Sequence, residues 1–188
     1  MLRRLAFLLS LLAVAATFAA CGNKEEIVLA GETEGVYLDV GEPPIKYQVQ
    51  ISRQLNPADV EDRSYLVGIP EEESKLAAEE VWFAVFIRVE NDGKTAQPTA
   101  EEFLIEDTEE NEYEPLELER DNVFAYRPQK LEAGAKIPAL DSAAEQSTIQ
   151  GSLLLYKIPR SNLENRPLEF IVKSPQVPQR VGTVDLDI

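Results

Sequence analysis

The chain has 188 residues, of which 34 are acidic, 18 basic and none histidine, for a net charge of −16 at pH 7. That charge repels nucleic acid and anionic lipid headgroups, so neither is expected as a partner. A single cysteine excludes an intramolecular disulfide. The absence of histidine removes the commonest general base and the commonest transition-metal ligand, so no cofactor, no metal and no catalytic residue is implied.

At the N-terminus Arg3 and Arg4 precede an apolar stretch from Leu5 to Phe18, broken only by Ser10 and Thr17; small residues Ala19 and Ala20 then precede Cys21. A basic, an apolar and a small-residue region in that order form an export signal. The apolar run falls short of the ~20 residues a spanning helix needs, so a cleaved signal peptide over residues 1–20 fits better than a permanent span. Phe18-Ala19-Ala20-Cys21 resembles the bacterial lipobox, although Phe18 stands where that pattern prefers an aliphatic residue. The resemblance implies a lipoprotein held at the extracytoplasmic face of the cell membrane by lipid on Cys21. One acyl chain binds only marginally, at about 0.8 kcal/mol per buried CH₂, and the resemblance implies two or three. Ordinary secretory cleavage after Ala20, leaving a free thiol, is the alternative. Either cleavage removes Arg3 and Arg4 and leaves 16 bases against 34 acids.

Residues 21–34 read as the lipidated N-terminus and a polar, acidic tether with a small apolar patch at Ile27-Val28-Leu29. Residues 35–188 then form one domain, a size that supports its own core. The period in this domain is mostly two. Tyr47, Val49 and Ile51 alternate with Gln48, Gln50 and Ser52, which predicts a strand with one apolar face. Asn56-Pro57-Ala58-Asp59 predicts a helical turn from Pro57 to about Arg63, with Asn56 as the cap, and Ser74–Glu80 predicts a second turn.

Val81–Val89 is apolar on both faces, with Val81, Phe83, Val85, Ile87 and Val89 on one and Trp82, Ala84 and Phe86 on the other. It reads as a central strand that emerges into solvent at the turn Asn91-Asp92-Gly93. Trp82 and Phe86 would suit an aromatic sugar platform, but on so apolar a strand core packing is favoured. Further strands are expected at Phe103–Asp107, Tyr113–Leu118, Thr148–Ile158, Leu168–Lys173 and Val181–Asp187. Short strands broken by Pro, Gly and Asn describe an all-β sandwich with one or two short helical turns.

Five blocks carry a family resemblance: Val85–Lys94, Pro98–Asp107, Asn111–Pro115, Gln150–Pro159 and Leu168–Phe170. In order and spacing, over roughly residues 80–172, they resemble the DUF4352 family of telokin-like domains. That resemblance implies an immunoglobulin-like sandwich common in bacterial lipoproteins, with no reaction assigned and no catalytic residue to carry over. The chain departs from the pattern in lacking Gly in the hairpin Glu109-Glu110-Asn111-Glu112, and in the length of Val123–Leu140.

Two constellations remain. Arg53, Asn56, Arg63 and Tyr65 flank or form a loop that serves either as a recognition loop on the sandwich edge or as packing, with Leu55 and Tyr65 over the sheet and the arginines paired to local acids; the packing reading is favoured. The acidic stretch from Glu101 to Glu114 places Asp107, Glu109 and Asn111 at alternate positions, as Ca²⁺ ligands would be. Glu112 stands where a calcium loop needs Gly, so a solvated hairpin is favoured. Glu101 and Glu102, adjacent on a strand, point to opposite faces and cannot converge on one bond. The expectation is therefore a binding or interaction module of the envelope, partnered by another envelope protein or polymer. A Ca²⁺ or small-ligand carrier is the alternative, and a hydrolase is less favoured still.

Overall fold

The structure, a computed structural model, describes residues 25–29, 37–41 and 44–186. Cys21 and the expected signal peptide lie outside the described residues. The domain is an all-β sandwich. One sheet has the order β10-β4-β3-β2, formed by β2 (Tyr37–Val40), β3 (Ile45–Leu55), β4 (Glu80–Asn91) and β10 (Ser152–Pro159), all antiparallel. The short β9 (Lys136–Ile137) also pairs with β4. The other sheet has the order β1-β12-β11-β6-β7, from β1 (Glu25–Leu29), β6 (Glu102–Glu106), β7 (Glu112–Tyr113), β11 (Leu168–Lys173) and β12 (Val181–Leu186). Within it only β1 runs parallel to its neighbour, β12. A two-residue ladder joins β5 (Gln97–Pro98) to β8 (Lys130–Leu131).

β1 falls where the sequence reading placed a tether. Its apolar Ile27-Val28-Leu29 patch lies in the ladder beside Thr183-Val184-Asp185 of β12, so the sheet begins ten residues before position 35. Pairing with a preformed neighbouring strand satisfies the backbone of a segment that is too short and polar to signal a strand alone.

The sheets enclose a core built on the alternation of their facing strands. Val81, Phe83, Val85, Ile87 and Val89 of β4 meet Phe103 and Ile105 of β6, Phe170 and Val172 of β11, and Val184 and Leu186 of β12, all buried. β4 is central, as its two apolar faces predicted. Its other face carries Trp82, Ala84 and Phe86 into a second cluster with Leu55, Tyr65, Leu118, Leu153 and Leu155. Thus the outer side of this sheet is roofed by the helix α1 (Val60–Tyr65) and by connecting segments.

A β-bulge in β3 creates the conditions for that roof. The register with β4 slips between Val49 and Ile51, so one extra residue reverses the side-chain parity of everything after it. Ile51, expected beside Tyr47 and Val49 on the core face, is instead 39 % exposed. In compensation Arg53 and Leu55 are turned toward α1, Leu55 into the second cluster.

Other boundaries moved for local reasons. α1 starts at Val60, because Asp59 and not Asn56 caps it: Asp59 Oδ1 accepts from Glu61 N at 2.8 Å and Asp62 N at 3.2 Å. Asn56 closes its own turn by accepting from Ala58 N at 3.0 Å. The second turn is a 3₁₀ turn at Glu71–Glu73, ahead of the expected Ser74–Glu80. Asn91 is fully buried and not at a solvent turn: its Nδ2 donates to Thr95 O and Leu131 O, and its Oδ1 accepts from Gly93 N. The expected strand Tyr113–Leu118 does not form: β7 is Glu112–Tyr113 and ends where that strand was to begin, since Pro115 has no N–H to continue a ladder.

Candidate functional site

Phe103 is the hub of the aromatic packing inside the sandwich. Its ring stacks on Phe170 with centroids 5.8 Å apart and meets Tyr126 and Tyr47 edge-on at 5.1 and 6.1 Å. Two buried hydroxyls fix the backbone just before it: Ala100 N donates to Tyr47 Oη at 2.6 Å, and Tyr126 Oη donates to Ala100 O at 2.8 Å. Burial pushes both tyrosine hydroxyls well above their ordinary pKa, so they stay neutral and serve as clamps.

Above this rigid floor lies a groove of about 780 Å³, bounded by β6, by the segment from Pro115 to Arg120 and by Ala125–Pro128. A smaller recess of about 280 Å³ continues it along Glu101–Leu104, beside Glu114, Pro115 and Lys173. The groove exists because the chain after β7 leaves its sheet. Beyond Tyr113 it crosses to the edge of the opposite sheet, where Leu116 N donates to Leu155 O of β10 at 2.7 Å. Leu153 of β10 bonds the same crossing region through Phe124 O and Tyr126 N, at 2.7 and 2.8 Å. The free edge of β10 is thereby capped, while the start of β6 is left open.

The far wall is held by buried or half-buried polar groups. Asn122 Nδ2 donates to Tyr65 O and Val67 O at 2.9 and 2.8 Å, and its Oδ1 accepts from Phe124 N and Ala125 N, both at 2.9 Å. Arg127 donates to Leu118 O at 2.7 Å and Glu119 O at 2.5 Å. Glu101, Glu117 and Glu119 stand exposed on the rim, with Arg120 beside them.

The sequence-derived loop residues are placed elsewhere. Arg53 and Asp62 form an ion pair, with Arg53 Nη1 3.1 Å from Asp62 Oδ2 and Nη2 on Oδ1. Asn56 N also donates to Asp62 Oδ2 at 2.7 Å. The hydrogen bond from Arg53 holds the Asp62 carboxyl below its usual range against its burial. Tyr65 is 1 % exposed, its ring edge-on to Phe86 and Phe124 at 4.9 Å each. Asn56 and Arg63 are exposed. The fold therefore joins Arg53 to the Asn56 turn through Asp62, turns Tyr65 inward, and leaves Arg63 apart. Trp82 is 4 % exposed beneath Lys157, whose Nζ lies 5.5 Å from the indole centroid.

The acidic hairpin is organised around a buried carboxylate. Asp107 is 4 % exposed and accepts from Glu109 N, from Asn111 N and Nδ2, and from the Nδ2 groups of Asn162 and Asn165. These donors are neutral, and among the described residues no group of three or more metal-ligating side chains gathers. Glu110 takes φ 63° at the position where Gly was missed. The groove carries no signal along the chain, because it arises where Pro115 and the residues after it part from β6 and meet Ala125–Pro128 and β10.

No family model, curated protein or solved structure matches the chain. Among the described residues no helix is long and apolar enough to cross a membrane.

Proposed function

We propose that the protein is a lipid-anchored binding module of the bacterial cell envelope, held at the extracytoplasmic face through Cys21, whose β-sandwich presents the groove beside β6 to another envelope component. The observation that carries the binding role is that groove: an open, acid-rimmed recess on a floor immobilised by Phe103, Tyr47 and Tyr126. Rigid scaffolds with a partly apolar recess and a few placed polar groups are the usual form of a binding site. Kinship with the DUF4352 immunoglobulin-like domains belongs to the same proposal, resting on the five sequence blocks.

β1 bears on the distance such an anchor would set. Since the sheet starts at Glu25, Gly22, Asn23 and Lys24 alone separate it from Cys21, a reach of at most about 14 Å for an extended chain. A lipidated Cys21 would hold the sandwich close to the bilayer surface.

One experiment has two arms. Membrane fractionation should find the native chain in the detergent phase and the Cys21→Ser variant in the soluble fraction; a variant that stays on membranes after a salt wash would end the anchor proposal. In cells, a photo-crosslinker at Glu119 on the groove rim should yield an adduct that one at exposed Glu72 does not. Adducts at neither position, or at both alike, would end the binding proposal.

A further inference from the structure

We infer that the groove is completed by an extended, basic peptide segment of a partner protein, which adds as a strand to the open edge of β6. The inference rests on the proposed binding role of the groove and names the chemistry of its occupant.

The backbone supplies the first argument. β6 pairs on one side with β11 along its length, Glu102 to Glu106 facing Lys173 to Glu169, but on the other side β7 covers only Ile105 and Glu106. In an antiparallel ladder alternate residues direct both backbone groups to the same side. Asp107 N donates to Asn111 O at 3.1 Å, and Ile105 opposes Tyr113. Phe103 therefore directs its N–H and C=O groups to that same side, which is open beside it. The residue that register would set opposite Phe103 is Pro115, which has no N–H and has already turned toward β10. Among the described residues nothing pairs with these groups of Phe103.

A strand edge with free donors and acceptors, lying in a recess and not on a flat surface, is a template for strand addition. The recess along Glu101–Leu104 is contiguous with the larger groove, sharing Glu101, Phe103 and Pro115 with it, so an incoming strand has room for side chains beyond the ladder.

Charge decides the sequence class. Glu101, Glu102, Glu114, Glu117 and Glu119 line the two recesses. Against them Arg127 is spent on the carbonyls of Leu118 and Glu119, and Lys173 lies 3.8 Å from Glu102. Arg120 is the cation left on the rim. The surplus of carboxylates repels an acidic strand and favours one carrying Lys or Arg at the positions that face the rim, with an apolar residue between them over Leu116 and Leu154.

The test uses the full chain in neutral detergent and fluorescent eight-residue peptides of three kinds: alternating Lys and Val, alternating Glu and Val, and the Lys-Val peptide with proline replacing the two central valines. The basic peptide should bind at least ten-fold more tightly than either of the others, and it should slow hydrogen exchange of the Phe103 amide. The triple variant E101K/E117K/E119K should reverse the preference toward the acidic peptide. Equal binding of the proline peptide would overturn strand addition. Equal binding of the acidic peptide, or a preference that the charge reversal leaves unchanged, would overturn the choice of a basic partner. Failure of all three peptides to bind at millimolar concentration would overturn the inference while leaving the Cys21 fractionation and Glu119 crosslinking results to stand or fall separately.

Discussion

Asn111 grips the carboxylate of Asp107 with both of its nitrogens, the backbone N at 3.0 Å from Oδ1 and Nδ2 at 2.9 Å from Oδ2. Glu109 N, Asn162 Nδ2, Asn165 Nδ2 and Tyr113 Oη add further neutral donors, at 2.9, 3.4, 3.1 and 3.3 Å. Burial pushes this carboxyl upward most strongly of any single influence, but the donors together outweigh it and bring it down to about 2. A carboxylate lowered in the folded state stabilises the fold above its unfolded pKa of roughly 3.9 and loses that contribution as pH falls through about 2. Asp107→Asn should therefore lower stability at pH 7 by about 2 kcal/mol. In urea unfolding, the gap between native and variant should close as pH is taken from about 5 toward 2; a gap independent of pH would contradict the assignment.

Glu169 presents the opposite sign. It faces Asp185 of β12 and Glu106 of β6 across the ladders. Burial, then the charges of Asp185, Glu106 and Glu25, raises its pKa. A raised carboxyl stabilises the fold while protonated, below the unfolded pKa, and that contribution is lost as pH rises through the folded value. Glu169→Gln should thus stabilise the protein at pH 7 by about 0.5 kcal/mol, with the gain vanishing below about pH 4. Melting curves of the two chains at pH 7 and pH 4 check it.

The pairing of Arg53 with Asp62 should couple β3 to α1. Asp62 has 6 % of its side chain exposed and Arg53 31 %, so removing the arginine leaves a mostly buried carboxylate with only Asn56 N and no cation. Arg53→Met and Asp62→Asn should each destabilise by about 1–2 kcal/mol, and the double variant by less than their sum, with a coupling of about 1 kcal/mol. A strictly additive cycle would show the ion pair to be without consequence.

The second cluster gives a packing prediction. Phe86 is fully buried against Tyr65 on the roofed side of the sheet. Phe86→Ala should cost about 3–5 kcal/mol, and hydrogen exchange should rise in α1 as well as in β4. A loss confined to β4 would mean that α1 is held by Asp62 and Asn122 alone.

Much of the β architecture was readable along the chain. The two apolar faces of Val81–Val89 located the central strand, and Leu168–Lys173 matched β11 at both ends, because a period of two across a half-buried sheet is written in the residues themselves. Ile51 was misplaced because a bulge reverses parity without any glycine or proline to announce it. Of the two readings of Tyr65, the favoured one, packing over the sheet with Leu55, is the one the fold adopts, but its ring partners Phe86 and Phe124 are distant in sequence and were not legible there.

By itself the sequence determined the strand periodicity and the acidic character of the chain, since each is a property of the residues themselves. The tertiary structure alone decided that Ile27-Val28-Leu29 joins a sheet, that Asp107 is buried among amides, and that Pro115 leaves the backbone of Phe103 open. Those three depend on which segments are brought side by side, and the hydrogen bonds that a backbone makes or lacks are set by its neighbours in space.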